Sequence, residues 1–374
     1  MNFEPLRALM ETLVAEGVPG CELAVCRGHK VLFHECAGFS DAARLRPATP
    51  FDRYLLCSCT KPVTAVAAMQ CLERGLIALD NPVEKYLPHW ANVRVRDGET
   101  LRAPRTAPTV RHLLTMTAGL DYNLNRPWLA EFSEGSAREI ADRLGGDPLD
   151  FDPGTRFQYS LCHDVLGGVI EAASGMTLRD FMRRNIFEPL GMTRTDFQPN
   201  CRPNPHLAAL YEFDPSSRRL APRSGQSEFA FLPNFFSGGS GLTSCVEDYL
   251  LFADALACGG VGADGSRILR PETIDLMRAE QLPAFRVDGS FSCTCGSDYG
   301  YGLGVRTRVA FDNGTPGGRG EFGWDGAAGA DLTADPANRL SMVYMQHVRG
   351  WPDMLGCIHL RLLNALDPEL LAGR

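Results

Sequence analysis

Residues 62 to 75, PVTAVAAMQCLERG, place the strongest constraint on how this 374-residue chain can fold. Wound as a helix, the segment is apolar on nearly every side, and it closes on Gly75, the residue type that most readily takes a left-handed backbone after a last turn. A helix without a polar face cannot lie on a surface, so other elements must enclose it. The composition allows this. With 44% hydrophobic and 22% charged residues the chain is globular rather than disordered. Its length allows one large domain or two intertwined lobes that bury roughly three quarters of the unfolded surface.

The elements that do the enclosing are legible at the two ends. MNFEPLRALMETLVAEG reads as an amphipathic helix, with Leu6, Leu9, Met10, Leu13 and Val14 on one stripe. CELAVCR (21–27), a GHK turn and VLFHECAGF (31–39) read as a β-hairpin. Near the C-terminus GYGLGVRTRVAF, GADLTADP and RLSMVYMQHV read as strands, followed by a helix, MLGCIHLRLLNAL. Between them VRHLLTMTAGL, HDVLGGVIEAASG and VEDYLLFADALACGG are helical stretches joined by Pro- and Gly-rich connections. The pattern predicts an α/β (α+β) fold: a discontinuous sheet domain from 1–60 and 290–374, with a mainly helical region, 61–289, inserted. A boundary of this kind is where a ligand cleft is usually found. Residues 200–235 lack periodicity and are expected to form a long loop over that cleft.

Charge excludes several functions. The 37 basic and 45 acidic side chains give a net charge of −8, without the cationic footprint of a nucleic-acid binder. No stretch reaches the roughly 20 apolar residues that span a bilayer, and Glu4 and Glu11 interrupt any signal-peptide pattern. A cytoplasmic protein is therefore expected. The 13 cysteines are scattered and odd in number. The C-x-C pairs Cys57/Cys59 and Cys293/Cys295 have no second His/Cys pair beside them, and the eight histidines form no H-E-x-x-H. Reduced cysteines acting as small hydrophobes, with no metal, are the expectation.

Against this background Ser58-Cys59-Thr60-Lys61 stands out, at the entrance to the apolar helix. Three residues apart on a helix, Ser58 and Lys61 lie on nearly one face, about 4.5 Å apart along the axis. A serine nucleophile needs a neighbouring base, and a desolvated lysine can serve. The chain has 18 Ser but only three Lys, so chance supplies about 0.14 such spacings. A cation in a first helical turn is also disfavoured by the helix dipole. The other 34 basic residues are arginines, which stay protonated and cannot accept a serine proton. No G-x-S-x-G elbow is present. A second candidate is Tyr159-Ser160-Leu161, where a phenol could relay a proton. A third is Gly323-Trp324-Asp325-Gly326-Ala327-Ala328-Gly329, where small residues would let a ligand approach a strand closely.

Taken together these blocks resemble the serine β-lactamase and penicillin-binding-protein superfamily, in its class C-like branch of cytoplasmic esterases. The resemblance runs through SCTKPVTAVAAMQCLERGLIALDNPVEKYLP, PTVRHLLTMTAGL, FDPGTRFQYSLCHDVLGGVIE, GGSGLTSCVEDYLLFADAL and GWDGAAG, in the family's order. It implies the β-lactamase/transpeptidase-like fold, an antiparallel sheet flanked by helices, and no cofactor. It also implies Ser58 as acylated nucleophile, Lys61 as general base, Tyr159 as proton carrier, and the backbone N–H groups of Ser58 and Ala327 as the oxyanion hole.

The departures bear on substrate. Where relatives carry a K-T-G lysine and hydroxyl to hold a ligand carboxylate, this chain offers Trp324, Asp325 and Gly326, an aromatic wall without a cation. Leu161 replaces an amide side chain and cannot hydrogen-bond a substrate amide. Both changes favour neutral, moderately apolar esters, and these residues are expected to contact substrate. Met116 and Tyr122 are candidates for the same wall, although packing is the default role of such side chains. The expected activity is hydrolysis of short-chain carboxylic esters. Alternatives in the same fold are β-lactam or D-amino-acid amide hydrolysis or acyl transfer. The alternative of another class is a non-catalytic ligand-binding or assembly protein. The expected partner is a small-molecule ester or amide, and the sequence leaves oligomeric state open.

Overall fold

The computed structural model describes residues 1–197, 206–223, 232–287, 295–312, 314–352, 354 and 357–371. A seven-stranded antiparallel sheet organises it. β1 (Gly20–Arg27) and β2 (Lys30–Gly38) come from near the N-terminus. β3 (Tyr299–Tyr301), β4 (Arg306–Arg308), β5 (Phe322–Asp325), β6 (Asp331–Asp335) and β7 (Leu340–Gln346) come from the last quarter, and the spatial order is β3-β4-β5-β6-β7-β1-β2. The two groups join where β7 pairs with β1, Cys21 opposite Gln346 and Arg27 opposite Leu340.

Five helices cover the two faces of this sheet: α1 (Glu4–Glu16), α2 (Thr60–Glu73), α3 (Cys162–Ser174), α4 (Val246–Ala257) and α5 (Cys357–Ala365). Alternation along the strands sorts their side chains into two cores. Leu332, Ala334, Val343 and Met345 face the layer that holds α2, α3 and α4. Leu23, Val25, Met342 and Tyr344 face α1 and α5, the two terminal helices. The enclosed helix behaves as its sequence requires: Val63, Val66 and Met69 are all fully buried, and each such side chain stabilises the fold by about 1.5–3 kcal/mol. The helix starts at Thr60, so Lys61 sits inside its first turn. Among the described residues no helix is long and apolar enough to cross a membrane.

The expected long loop at 200–235 is only partly within the described residues; 200–205 and 224–231 lie outside them. Between them the expectation is corrected. Tyr211–Asp214 and Arg219–Pro222 form a hairpin whose first strand pairs in parallel with Val348–Arg349. Asp214 closes its turn by accepting from the Ser216 and Ser217 hydroxyls, and Phe213 packs on Trp351 with centroids 4.9 Å apart. A strand of four residues whose partner lies far along the chain leaves no local period to read.

Candidate active site

Ser58 lies in a 3₁₀ turn, Cys57–Cys59, that runs directly into α2. Cys57 before it has φ +46°, the left-handed region that side-chain-bearing residues seldom enter. Such a backbone persists only where its surroundings hold it. Here Leu56 N–H donates to Leu242 O at 3.0 Å, Cys59 N–H to Leu56 O at 3.0 Å, and Tyr249 OH to Cys59 O at 2.5 Å.

Lys61 is fully buried. Its Nζ donates to Ser58 Oγ at 3.2 Å and to Gly239 O at 2.9 Å, and lies 4.6 Å from the ring centroid of Tyr159 and 5.9 Å from that of Tyr122. Among the described residues no carboxylate lies within ion-pair distance of it. The Gly239 carbonyl is itself fixed: Asp164 on α3 accepts from Ser237 Oγ at 2.5 Å and from Gly239 N–H at 3.3 Å. A Cβ at Gly239 would stand 2.6 Å from an Asp164 oxygen, so any larger residue would displace that carboxylate. Burial raises the Asp164 carboxyl above the usual range, while Ser237, Lys61 and Gly239 pull the other way. Asp164 and Gly239 fall within blocks that carry the family resemblance and Ser237 lies just before one, but their residue types and spacing alone assign them no role. An acidic residue inside the apolar helical stretch HDVLGGVIEAASG is the signal that could have found the first of them.

Tyr159 sits at the centre of an aromatic stack, 5.6 Å from Tyr122 and 5.9 Å from Trp324 between centroids, with rings within 15° of parallel. Burial pushes its phenol well above the ordinary value, and hydrogen bonding with the Ser58 and Trp324 side chains pulls it partway back. Tyr301 meets Trp324 edge-on at 5.3 Å and backs the stack. Ser58, Tyr159, Trp324 and Ala327 are each half-buried and Tyr122 is exposed, whereas Met116 is fully buried as a packing residue. Leu161 is buried at the start of α3 and lines an apolar recess with Leu124, Trp128, Leu129, Ile140 and Phe235.

The third motif reaches the nucleophile through backbone. Cys59 Sγ donates to Trp324 O at 3.4 Å, and the Ala328 N–H meets the Cys57 thiol. A Cβ on Gly326 would lie 2.2 Å from Leu56 O. The small residue at 326 thus admits the chain just before Ser58. Among the described residues the Ala327 N–H has no hydrogen-bond acceptor. Asp325 points away from Trp324, as alternation requires. It is buried on the terminal-helix side of β5, 3.9 Å from Arg306 Nη1. The arrangement therefore offers a half-buried hydroxyl, a buried amine in contact with it, a phenol beside both and a free N–H nearby, the elements of acyl-transfer chemistry.

The chain as a whole is similar to known proteins. The family model described as Beta-lactamase matches residues 6–365. Protein Rv1367c of Mycobacterium tuberculosis is 30% identical over 375 residues, covering 95% of this chain and 92% of that protein. Esterase EstB of Burkholderia gladioli is 29% identical over 381 residues, covering 93% and 90%. Among solved structures, EstCE1, described as a hydrolase with promiscuous acyltransferase activity, superposes with a TM-score of 0.80 at 25% identity and covers 97% of both chains. A whole-length family match, a relative at 30% identity and a shared mixed helix and antiparallel-sheet fold agree: the chain belongs to the Beta-lactamase family and is a serine hydrolase with the β-lactamase/transpeptidase-like fold.

Proposed function

We propose that this protein cleaves short-chain carboxylic esters by a ping-pong route through an acyl-enzyme on Ser58. The observation that carries the proposal is the contact of a fully buried Lys61 Nζ with Ser58 Oγ at 3.2 Å. An amine held against a serine hydroxyl is placed to take its proton. Ser58 Oγ attacks the ester carbonyl, and its proton passes to Lys61. The negative charge that develops on the carbonyl oxygen is met by the N–H groups of Ser58 and Ala327. Tyr159, neutral at ordinary pH because burial raises its phenol, relays a proton to the departing alkoxide. Water then attacks the acyl-enzyme, gives its proton back through the same groups, and releases the carboxylic acid with Ser58 restored.

The substrate preference rests on the wall. Trp324 and Tyr159 present stacked aromatic faces, which suit a neutral acyl or alcohol group better than an anionic peptide-like ligand; Leu161 lines a separate apolar recess at the start of α3. The name of EstB, an esterase, points the same way. Asp325 serves that wall indirectly, by fixing β5 through Arg306. A chromogenic short-chain ester should give a burst followed by turnover, and Ser58→Ala should give neither; turnover that survives in Ser58→Ala defeats the proposal. The description of EstCE1 favours a second outcome for the same intermediate, acyl transfer. Added alcohols or amines that divert product from acid to new ester or amide would reveal it.

A further inference from the structure

At the end of β1 remote from Ser58 lies a cluster that the hydrolase chemistry does not use. The β1–β2 turn carries Gly28 at φ +55° and His29 at φ +70°. Glycine, asparagine or aspartate is the usual choice for the second of these positions. This histidine is aimed at α4: its Nδ1 is 2.7 Å from Asp254 Oδ2, and its backbone N–H donates to Asp254 Oδ1 at 3.2 Å. Asp254 and Cys258 stand four residues apart on that helix, one above the other on a single face. The Cys258 thiol reaches Asp254 Oδ1 at 3.7 Å, and the Cys26 thiol reaches the same oxygen at 3.3 Å. Ligand atoms of His29, Asp254 and Cys258 all lie within 4.8 Å of one another.

We propose that His29, Asp254 and Cys258, with Cys26 as fourth donor, form a structural Zn²⁺ site that pins the β1–β2 turn to the end of α4. The donor set decides the metal. One imidazole, one carboxylate and two thiols suit zinc, whereas calcium and magnesium ask for oxygen alone. Donors around tetrahedral zinc stand about 3–4 Å apart, close to the spacing already present among His29, Asp254 and Cys258, and Cys26 lies 3.3 Å from the Asp254 carboxylate they share. Each thiol that ligates releases its proton to solvent. Two thiolates and a carboxylate leave one negative charge on the zinc complex, and Arg339, whose Nη2 is 3.8 Å from Cys258 Sγ, stands where it can balance it. The pairs Cys26-x-x-His29 and Asp254-x-x-x-Cys258 are far apart in sequence and only the fold joins them. Cys21 at the other end of β1 pairs with Gln346, whose N–H donates to Gly329 O beside the third motif. Five residues of strand separate the two ends, about 17 Å, so the metal would be structural and not catalytic.

The full-length protein, stripped with a chelator under reducing conditions, should bind one equivalent of Co²⁺ at micromolar protein. It should develop the intense near-ultraviolet band of sulfur-to-cobalt charge transfer, which Zn²⁺ then displaces. Zn²⁺ should also raise the thermal midpoint. His29→Asn, which tolerates the left-handed backbone, and Cys258→Ser should each abolish the band while leaving ester turnover at Ser58 in place. Absence of a stoichiometric band in the wild type, or a band that persists in the His29→Asn/Cys258→Ser double variant, overturns the proposal.

Discussion

Lys61 and Arg306 are both withdrawn from solvent, 0% and 1% exposed, yet their surroundings are opposites. Lys61 meets a hydroxyl, a carbonyl and two aromatic faces, with no carboxylate in ion-pair distance among the described residues. Arg306 meets Asp331 at 2.9 Å and Asp325 at 3.9 Å, inside a buried network that also holds Glu321 and His359. The difference separates two uses of a buried cation. An amine in contact with a serine hydroxyl is placed to exchange a proton with it. A guanidinium ringed by carboxylates cannot lose one, and serves to hold strands to a helix.

Exchange of residue type is the sharpest way to break this comparison. Lys61→Arg should keep the fold and lower kcat/KM by about 10²- to 10⁴-fold, the range of a lost general base; near-wild-type turnover would show that the cation's identity is irrelevant. Next in size, Asp164→Asn should cost about 10²-fold in kcat through a displaced Gly239 carbonyl and Lys61. Its KM should change little, which separates loss of positioning from loss of substrate binding. Arg306→Met should instead act on stability, lowering it by about 3–5 kcal/mol in urea unfolding because the buried Asp331 carboxylate loses the guanidinium it meets at 2.9 Å. Unchanged stability would remove the structural half of the contrast.

A last effect is in the pH dependence of stability. Burial and Arg306 oppose a charged His359, but Glu321 and Asp331 prevail and raise it from 6.5 to about 10. A group raised on folding stabilises fully below its unfolded value, and that contribution is lost as pH climbs through the folded one. The thermal midpoint should therefore decline between about pH 6.5 and pH 10, and His359→Gln should flatten the decline. His347 has the opposite sign. Burial lowers it to about 4, so its contribution is present above pH 6.5 and disappears as pH falls toward 4.

Local chemistry made much of this legible. The period of α1, the encircled apolar face of α2, the β1–β2 hairpin and the Ser58/Lys61 spacing are each written in fewer than 20 consecutive residues. Residues that depend on distant partners were hidden. Gly239 gains its meaning from Lys61, 178 positions away, and the 211–222 hairpin from Val348. His29 and Asp254 meet across 225 positions, so only the fold brings their two segments together. Trp324 and Asp325 show an intermediate case: both were expected at the substrate, and the strand's own alternation sends them to opposite faces.

That alternation shapes how the protein can change. Position 324 stacks on Tyr159, and position 325 lies 3.9 Å from Arg306 on the other face of the strand. Successive codons of one strand therefore carry separate obligations, one to the aromatic stack beside Lys61 and one to the buried charge network. A library that varies 324 and leaves 325 alone changes the stack while keeping the charge network of the sheet intact.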